Sequence, residues 1–199
     1  LDPFAGIGTI VQEGVLLGYR MLGSDINPAA IAGSEKNLEW FRNRYKIPKG
    51  KFHSEVSDAR EVSKLVENLA KIGAFKSISG VVTEGYLGPM YGKFPSRPEI
   101  DKNFKELQEL YDKAFQDFLK FLSSGDKVVI CLPAYKNRDQ YTMFPSLDFI
   151  TKLGYNNVDL IPSILSDDMP FLKLTERKTA IYDRKDQIVA REIVIFEKI

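Results

Sequence analysis

The sequence has few of the cysteine and histidine residues that disulfides, metal sites and nucleophilic triads need. Its 199 residues include one cysteine, Cys131, and one histidine, His53. A single cysteine excludes a disulfide within the chain, and because Cys131 lies in an apolar run we expect a buried, unreactive thiol. A single histidine argues against a histidine-based metal or triad site, so we interpret His53 as structural and expect no metal.

Net charge and long apolar runs are also lacking. The net charge of +1 provides no overall attraction to nucleic acid or membranes, so a site for a polyanion needs a local patch or another domain. No apolar stretch approaches the roughly 18 residues of a membrane span, and the first residues are not those of a signal peptide. We therefore expect a cytoplasmic protein.

Helical and strand patterns alternate along the chain. The patterns predict helices over residues 9–17, 28–45, 61–72, 100–122 and 146–153, and strands over residues 19–26, 51–56, 77–83, 127–132, 155–165, 179–183 and 189–197. This order predicts an α/β fold with a doubly wound, mostly parallel, seven-stranded-type sheet and an antiparallel C-terminal strand. Residues 1–199 are expected to form one domain whose first strand is largely missing, because the chain begins inside its first motif.

That first motif is a glycine turn directly after an acidic residue. Gly6 and Gly8 allow the backbone to approach a ligand closely. A dinucleotide fingerprint would need a third glycine where the chain has Val11, and Asp2 would repel a pyrophosphate. A phosphate-free ligand with an amino group fits better, and S-adenosylmethionine (SAM) is such a ligand.

Residues 2–9 (DPFAGIGT) resemble motif I of the class I SAM-dependent methyltransferases. They are most similar to the RNA methylase family that includes the THUMP-associated tRNA guanine-N2 methyltransferases. Residues 24–28 resemble that family's second motif, whose acidic residue holds the ribose hydroxyls, and residues 57–59 resemble the third, whose aspartate contacts the adenine amino group. Residues 182–192 resemble its last motif. The resemblance implies a Rossmann-like class I methyltransferase fold with SAM as the cofactor.

The candidate cofactor-binding residues follow from these motifs: Asp2, Pro3, Phe4, Ala5, Gly6, Gly8, Thr9, Asp25, Ile26, Asp58 and Ala59. Three of them are carboxylates at the predicted ends of successive strands, where ligands of open α/β sheets bind. Hydrogen bonds to ribose hydroxyls and to an amino group are within their chemistry. The alternative is that each aspartate caps the helix that follows it.

The candidate catalytic residues are Thr83, Glu84 and Tyr86. Members of the family carry Asp/Asn-Pro-Pro-Tyr/Phe after the fourth strand, where this chain has Glu84-Gly85-Tyr86-Leu87. A glutamate still accepts hydrogen bonds from a base amino group, but its carboxylate disfavours a neighbouring ring nitrogen that is itself an acceptor. The alternative is that Glu84 is a charged surface residue.

Aromatic and cationic residues alternate after this loop. Tyr91, Lys93, Phe94 and Arg97 suit base stacking and phosphate contact, and they are the candidate substrate-binding residues. A solvated, proline-rich loop is the alternative. Tyr135, Lys136 and Arg138 form a similar but weaker cluster.

The leading hypothesis is a SAM-dependent methyltransferase acting on a base amino group, with guanine N2 in tRNA or another RNA favoured. A DNA adenine or cytosine amino-methyltransferase and a non-catalytic SAM- or RNA-binding module are the alternatives. The resemblance implies that a THUMP-type domain upstream of Leu1 grips the nucleic-acid partner. No membrane partner is expected.

Overall fold

The structure is a computed structural model that describes residues 1–138, 140–162 and 173–199. These residues form two compact units. The first comprises Leu1–Thr83 and Ala114–Ser123, and the second comprises Glu84–Lys113 and Ser124–Ile199. Whether the chain acts as one catalytic domain stays a prediction. None of the helices in the described ranges is long and apolar enough to cross a membrane.

The first unit contains the parallel strands. Its elements are α1 (Thr9–Leu16), β1 (Met21–Asp25), α2 (Pro28–Tyr45), β2 (Phe52–Val56), α3 (Ser63–Lys71) and β3 (Gly80–Glu84), whose last residue begins the second unit. Strand β1 pairs with β2 in parallel from Met21 and Phe52 to Asp25 and Val56. Residues 1–2 lie between β1 and β3: the Asp2 N–H donates to the Leu22 carbonyl (2.8 Å) and the Val82 N–H donates to the Leu1 carbonyl (2.9 Å). Because parallel strands end at a common edge, this order brings the carboxyl ends of β1, β2 and residues 1–2 together.

Capping chemistry in the sequence explains where α2 begins and ends. The Asn27 side chain accepts a hydrogen bond from the Ala29 N–H (2.9 Å), and Pro28 occupies the first turn. The helix ends before Lys46, which adopts φ = 55°. The predicted range of 28–45 is confirmed, and Leu38 and Phe41 pack in a core with Ala5 and Val11. Tyr45, the last residue of the helix, is 52% exposed.

Helix α3 is shorter than predicted. A 3₁₀ turn over Ala59–Glu61 precedes it, and Ile72, the last residue of the predicted helix, lies beyond its end and is 76% exposed. The buried carboxylate of Asp117 accepts hydrogen bonds from the Ser63 N–H (2.7 Å) and from the Ser63 hydroxyl (2.8 Å), and so caps the first turn. This cap comes from a residue far along the chain, which is why the local pattern misplaced the start of the helix.

The second unit is built on antiparallel strands. Its elements are the first part of α4 (Arg97–Phe118), β4 (Lys127–Asn137), β5 (Gln140–Thr142), α5 (Asp148–Thr151), β6 (Tyr155–Val158), β7 (Lys173–Leu174), β8 (Ala180–Tyr182) and β9 (Val189–Lys198). Strand β9 pairs antiparallel with β4, β6 and β8, while β7 pairs with β8 and β5 with β4. The strand predicted over 155–165 ends at Val158, and residues 163–165 lie outside the described residues.

The antiparallel part of the fold is therefore larger than the single C-terminal strand that was predicted. Strands β8 and β9 are joined by only six residues, 183–188, which allows antiparallel pairing, whereas parallel pairing needs a long crossover. The parallel strands joined by helices are confirmed in the first unit. Strand β4 continues to Asn137, beyond the apolar run that ended the predicted strand.

Candidate cofactor and acceptor sites

The glycine turn begins α1 and leaves room beside its backbone. Gly6 and Gly8 have φ values of 52° and 86°, which favour glycine. A Cβ on Gly8 would lie 2.6 Å from the Ser34 hydroxyl oxygen, so glycine is also needed there for packing. A Cβ on Gly6 would have no heavy atom within 4 Å, apart from those of Gly6 and its two chain neighbours. The space beside Gly6 is where a ligand can approach the turn.

Each of the three candidate carboxylates of the first unit accepts a local hydrogen bond of the same kind. In each case Oδ1 accepts from the backbone N–H two residues ahead: Asp2 from Phe4 (3.2 Å), Asp25 from Asn27 (2.9 Å) and Asp58 from Arg60 (2.9 Å). The capping alternative fits Asp58 alone, because the N-cap position belongs to Gly8 in α1 and to Asn27 in α2. At Asp2 and Asp25 the hydrogen bond is a local turn contact. It leaves room for a ligand, because a carboxylate offers about four acceptor positions.

Asp2 is the most buried of the three, with 1% of its surface exposed. Its Oδ1 also accepts a hydrogen bond from the Thr83 hydroxyl (2.6 Å). Burial raises the pKa of Asp2 from 3.8 to about 6, against the opposing effect of the bonds from Thr83 and Phe4. A carboxylate kept from water in this way favours a cationic partner such as an ammonium group. Thr83, a candidate catalytic residue, is 2% exposed and supports Asp2.

Asp25 connects the end of β1 to the glycine turn. Its Oδ2 accepts a hydrogen bond from the Gly6 N–H (2.9 Å). The side chains that follow Gly6 and Asp25 are apolar and exposed: Ile7 by 58% and Ile26 by 61%. The turn therefore joins polar carboxylate oxygens to exposed apolar surface, a combination that suits a ligand with hydroxyl groups and a flat ring.

Asp58 is engaged by its own neighbour Arg60. The Arg60 Nε lies 2.9 Å and 3.0 Å from the two carboxylate oxygens, and a second guanidinium nitrogen contacts Oδ2. These hydrogen bonds hold the pKa of Asp58 below its usual range. An adenine amino group at Asp58 would have to share the carboxylate with Arg60.

The remaining cofactor candidates differ in exposure. Pro3, Ala5 and Ala59 are buried, Phe4 is half-buried, and Thr9 is exposed in the first turn of α1. Ala5 belongs to the core cluster that supports the turn. Its N–H donates to the Ser24 carbonyl of β1 (2.8 Å). The buried members therefore position the turn, and the exposed ones lie on its surface.

In the second unit, Glu84 is held by a side chain from the end of the sequence. Its two carboxylate oxygens accept hydrogen bonds from the Nε and Nη2 atoms of Arg191, each at 3.1 Å. The Glu84 side chain is 47% exposed and that of Arg191 is 17% exposed. Glu84 is therefore partly exposed, as the surface alternative supposed, but it is also fixed in a two-pronged ion pair.

Buried polar side chains pin the loop after Glu84. The Tyr111 hydroxyl donates to the Tyr86 carbonyl (2.6 Å), and the Asn103 amide donates to the Leu87 carbonyl (3.2 Å). A Cβ on Gly85 would lie 2.4 Å from the Tyr111 hydroxyl oxygen. A proline ring, which the family carries at this position, would meet the same atom. The glycine at position 85, where the family has proline, is therefore required by the packing of Tyr111 against it.

The candidate substrate-binding residues do not all lie on an open loop. Lys93 and Phe94 are exposed, whereas the Tyr91 ring packs edge-on against Tyr135 at 5.9 Å. Arg97 is the first residue of α4 and pairs with Asp101 (2.9 Å), so the predicted loop ends sooner than expected.

The sequence contained the signal for this helix start. The carboxylate of Glu99 accepts hydrogen bonds from the backbone N–H (2.7 Å) and hydroxyl (2.6 Å) of Ser96, three residues before it. This pairing belongs to the Ser-x-x-Glu pattern typical of a helix N-terminus. In the weaker cluster, Tyr135 is fully buried and bonded to Asn103, so it is not an accessible stacking surface, and Lys136 pairs with Asp183 (2.9 Å).

Two residues close to Glu84 are not among the candidates predicted from the sequence. Arg191 and Gln187 both lie within the last motif, residues 182–192, and Arg191 bonds to both Glu84 and Gln187. That motif was the available signal, although it did not indicate a partner. Cys131 is partly buried, and burial raises the pKa of its thiol to about 11, which agrees with an unreactive cysteine.

No family model matches the chain. Among curated proteins, the "Probable tRNA (guanine(10)-N2)-dimethyltransferase" of Methanothermococcus thermolithotrophicus is 28% identical over 125 residues, which is 62% of this chain and 68% of the relative. This likeness confirms the resemblance that the motifs indicated.

Several solved structures share the fold. TrmN from Thermus thermophilus has a TM-score of 0.56 at 13% identity and covers 100% of this chain, which spans 43% of that protein. An rRNA methylase from Streptococcus thermophilus has a TM-score of 0.51 at 12% identity, covering 100% of this chain and 86% of that one. NSun6 from Pyrococcus horikoshii, solved with the SAM analogue SFG, has a TM-score of 0.60 at 12% identity, covering 99% of this chain and 47% of that one. The chain therefore has the Rossmann-like fold of class I methyltransferases, as predicted.

Proposed function

We propose that this chain is the catalytic region of a SAM-dependent methyltransferase that methylates the exocyclic N2 of guanine in tRNA. The observation that carries the proposal is the arrangement of Asp2, Asp25 and the Gly6 turn at one edge of the parallel strands. The similarity in sequence to a tRNA guanine methyltransferase supports the choice of substrate. A cytoplasmic location is part of the proposal.

The residues of the first unit fit SAM by their chemistry. The buried Asp2 carboxylate suits the ammonium group of the methionine part, Asp25 suits the ribose hydroxyls, and Asp58 suits the adenine amino group. The space beside Gly6 allows the ligand to lie against the backbone. When bound, SAM supplies an activated methyl group, whose transfer to an amine nitrogen breaks the carbon–sulfur bond and leaves the electron pair on sulfur.

The second unit offers the groups that orient the methyl acceptor. An exocyclic base amine is a poor nucleophile because its lone pair is delocalised into the ring, so positioning makes a large contribution. Glu84 can accept hydrogen bonds from the amino group and take up the proton that the nitrogen loses. Tyr86, which is 53% exposed, offers a surface for stacking on the base. A base in folded RNA has to leave its stack to reach such a site.

Titration calorimetry with SAM on the full-length protein tests the cofactor site. Asp25→Ala removes the acceptor for the Gly6 and Asn27 N–H groups, and we expect it to weaken SAM binding by about 10- to 100-fold. Asp101→Ala, which removes a surface ion pair with Arg97, is the matched control and should leave affinity unchanged. A folded wild-type protein without SAM affinity would refute the proposal.

Transfer of tritium from labelled SAM tests the acceptor. We expect label in tRNA and not in duplex DNA, and digestion to nucleosides should place the methyl group on guanine N2. Label in DNA adenine or cytosine would instead support the DNA-modifying alternative. SAM binding without transfer to any nucleic acid would support a non-catalytic module, which the replacement of Asp-Pro-Pro-Tyr by Glu-Gly-Tyr leaves as the second candidate.

A further inference from the structure

The ion pair between Glu84 and Arg191 has the geometry of a rigid fork. Two different guanidinium nitrogens donate to two different carboxylate oxygens at the same distance of 3.1 Å. Such two-pronged pairing fixes the plane of the carboxylate as well as its position. Lysine could not reproduce it, because its single ammonium group acts as a point charge.

Arg191 is itself anchored. Its Nη1 donates to the Gln187 side-chain oxygen (2.7 Å) and to the Val189 carbonyl (3.3 Å). The residue lies in β9, opposite Pro133 of β4 and Tyr182 of β8, so strands pair with it on both sides. The position of the Glu84 carboxylate is therefore set by the register of a three-stranded segment and not by the flexible glutamate side chain.

The pairing leaves part of Glu84 available. Arg191 uses one acceptor position on each oxygen, and a carboxylate has about four, so one further position remains on each. The Glu84 side chain is 47% exposed, which leaves these positions accessible. Two N–H donors side by side would match them. On its Watson–Crick edge guanine has this pattern, N1–H next to the N2 amino group, whereas in adenine and cytosine the amino group adjoins a ring nitrogen with a lone pair.

We propose that Arg191 is a positioning residue that orients the Glu84 carboxylate to select an amino group flanked by a ring N–H. This inference rests on the proposed function and deepens it, because it assigns the choice of base to a pair of residues and not to the loop alone. Gln187 supports the pair through Arg191.

The test uses the full-length protein and two versions of one RNA fragment. The first carries the guanine that the wild-type protein methylates, and the second carries 2-aminopurine there, which keeps the 2-amino group but has a lone pair in place of N1–H and hydrogen in place of O6. We expect the wild-type kcat/KM to favour guanine by at least about 100-fold.

Arg191→Gln should lower this preference by at least about tenfold, with a larger effect on kcat than on KM, because the carboxylate loses its orientation. Arg191→Lys should recover only part of it. The matched control is Arg184→Gln, since Arg184 is exposed and donates to the Tyr182 hydroxyl (3.0 Å). A merely structural role would reduce transfer to both RNA fragments equally and leave the preference unchanged.

Three results would overturn the inference. They are an unchanged preference and kcat in Arg191→Gln, an equal loss on both fragments, and equal use of both fragments by the wild type. If Arg191→Gln does not fold, Gln187→Met keeps the ion pair but removes its support, and an unchanged preference there would count in the same way. If the wild type transfers no methyl group to any RNA, the proposed function fails and the inference fails with it, whereas transfer with unaltered preference removes the inference alone.

Discussion

In the first unit each candidate carboxylate bonds to a backbone N–H two residues ahead of it, whereas in the second unit the candidate carboxylate bonds to a side chain 107 residues away. The first kind of contact forms wherever an aspartate ends a strand and the chain turns. The second exists only when β9 has paired in the correct register. The comparison teaches that the turns at the candidate cofactor residues are encoded in short runs of sequence, with Asp2 alone bonded in addition to the distant Thr83, while the position of Glu84 depends on the assembled antiparallel sheet.

The same difference appears in the loops. The glycine turn of the first unit is held by Asp25, which lies only three residues before the first residue of α2. The loop after Glu84 is pinned by Tyr111 and Asn103 of α4, and Asn103 also bonds to Tyr135 of β4. Changes at these two places should therefore have different consequences for SAM binding and for methyl transfer.

The largest expected effect is from Gly85→Ala. The added Cβ would lie 2.4 Å from the buried Tyr111 hydroxyl, so the loop or the tyrosine must move. Overpacking of this kind costs about 1–3 kcal/mol, and a displacement of about 1 Å near the reacting groups can cost 100-fold in rate. We expect single-turnover methyl transfer to fall by about 100-fold with SAM affinity unchanged.

Gly92→Ala is the matched control for this prediction. It adds the same methyl group to the same loop, at a position where a Cβ has no heavy atom within 4 Å apart from the glycine and its chain neighbours. Its rate should stay close to that of the wild type. Equal rates for both variants would show that the loop is not pinned by Tyr111, and the contrast between the two units would lose its main support.

An intermediate effect is expected from Asp2→Asn on the pH dependence of stability. The pKa of Asp2 is raised from 3.8 to about 6 in the folded protein, so between these values the folded state binds more protons than the unfolded state. The wild type should therefore lose stability as pH rises from about 4 to 6, by up to about 3 kcal/mol from this group. The asparagine variant should lack this loss.

Denaturant unfolding at a series of pH values measures the difference. Other carboxylates contribute equally to both proteins, so the difference between the two curves isolates Asp2. If stability changed with pH in the same way in both proteins, the Asp2 carboxylate would be well solvated. Burial would then be no reason to expect that Asp2 binds an ammonium group.

The smallest expected effect is from Arg60→Ala. Arg60 bonds to both oxygens of Asp58 and is itself 45% exposed, so its removal should change stability by less than about 1 kcal/mol. If Asp58 serves the adenine amino group, the freed carboxylate should bind SAM about threefold more tightly. Calorimetry measures this change, and a marked loss of affinity would mean that Arg60 itself contributes to the ligand site.

Much of the first unit could be predicted because its signals are local. The Asn27-Pro28 cap defined the start of α2, and the aspartates before turns indicated the ends of strands. Contacts from distant residues could not be predicted: the Asp117 side chain caps α3 at Ser63, whereas the local pattern placed the start of this helix at residue 61. In the second unit, the cluster of Tyr135, Lys136 and Arg138 suggested a stacking surface, but Tyr135 is fully buried and bonded to Asn103.

By itself, the sequence determined the glycine turn, the three strand-end aspartates and the alternation that produces a class I methyltransferase fold. These features depend on backbone preferences and on contacts between residues close in the chain, and such contacts cost little chain entropy to form. Only the tertiary structure decided the partner of Glu84, the need for Gly85 and the antiparallel order of β4 to β9. Each of these depends on strand register and on packing between residues far apart in the chain, where a shift of one residue would point Arg191 to the other face of the sheet.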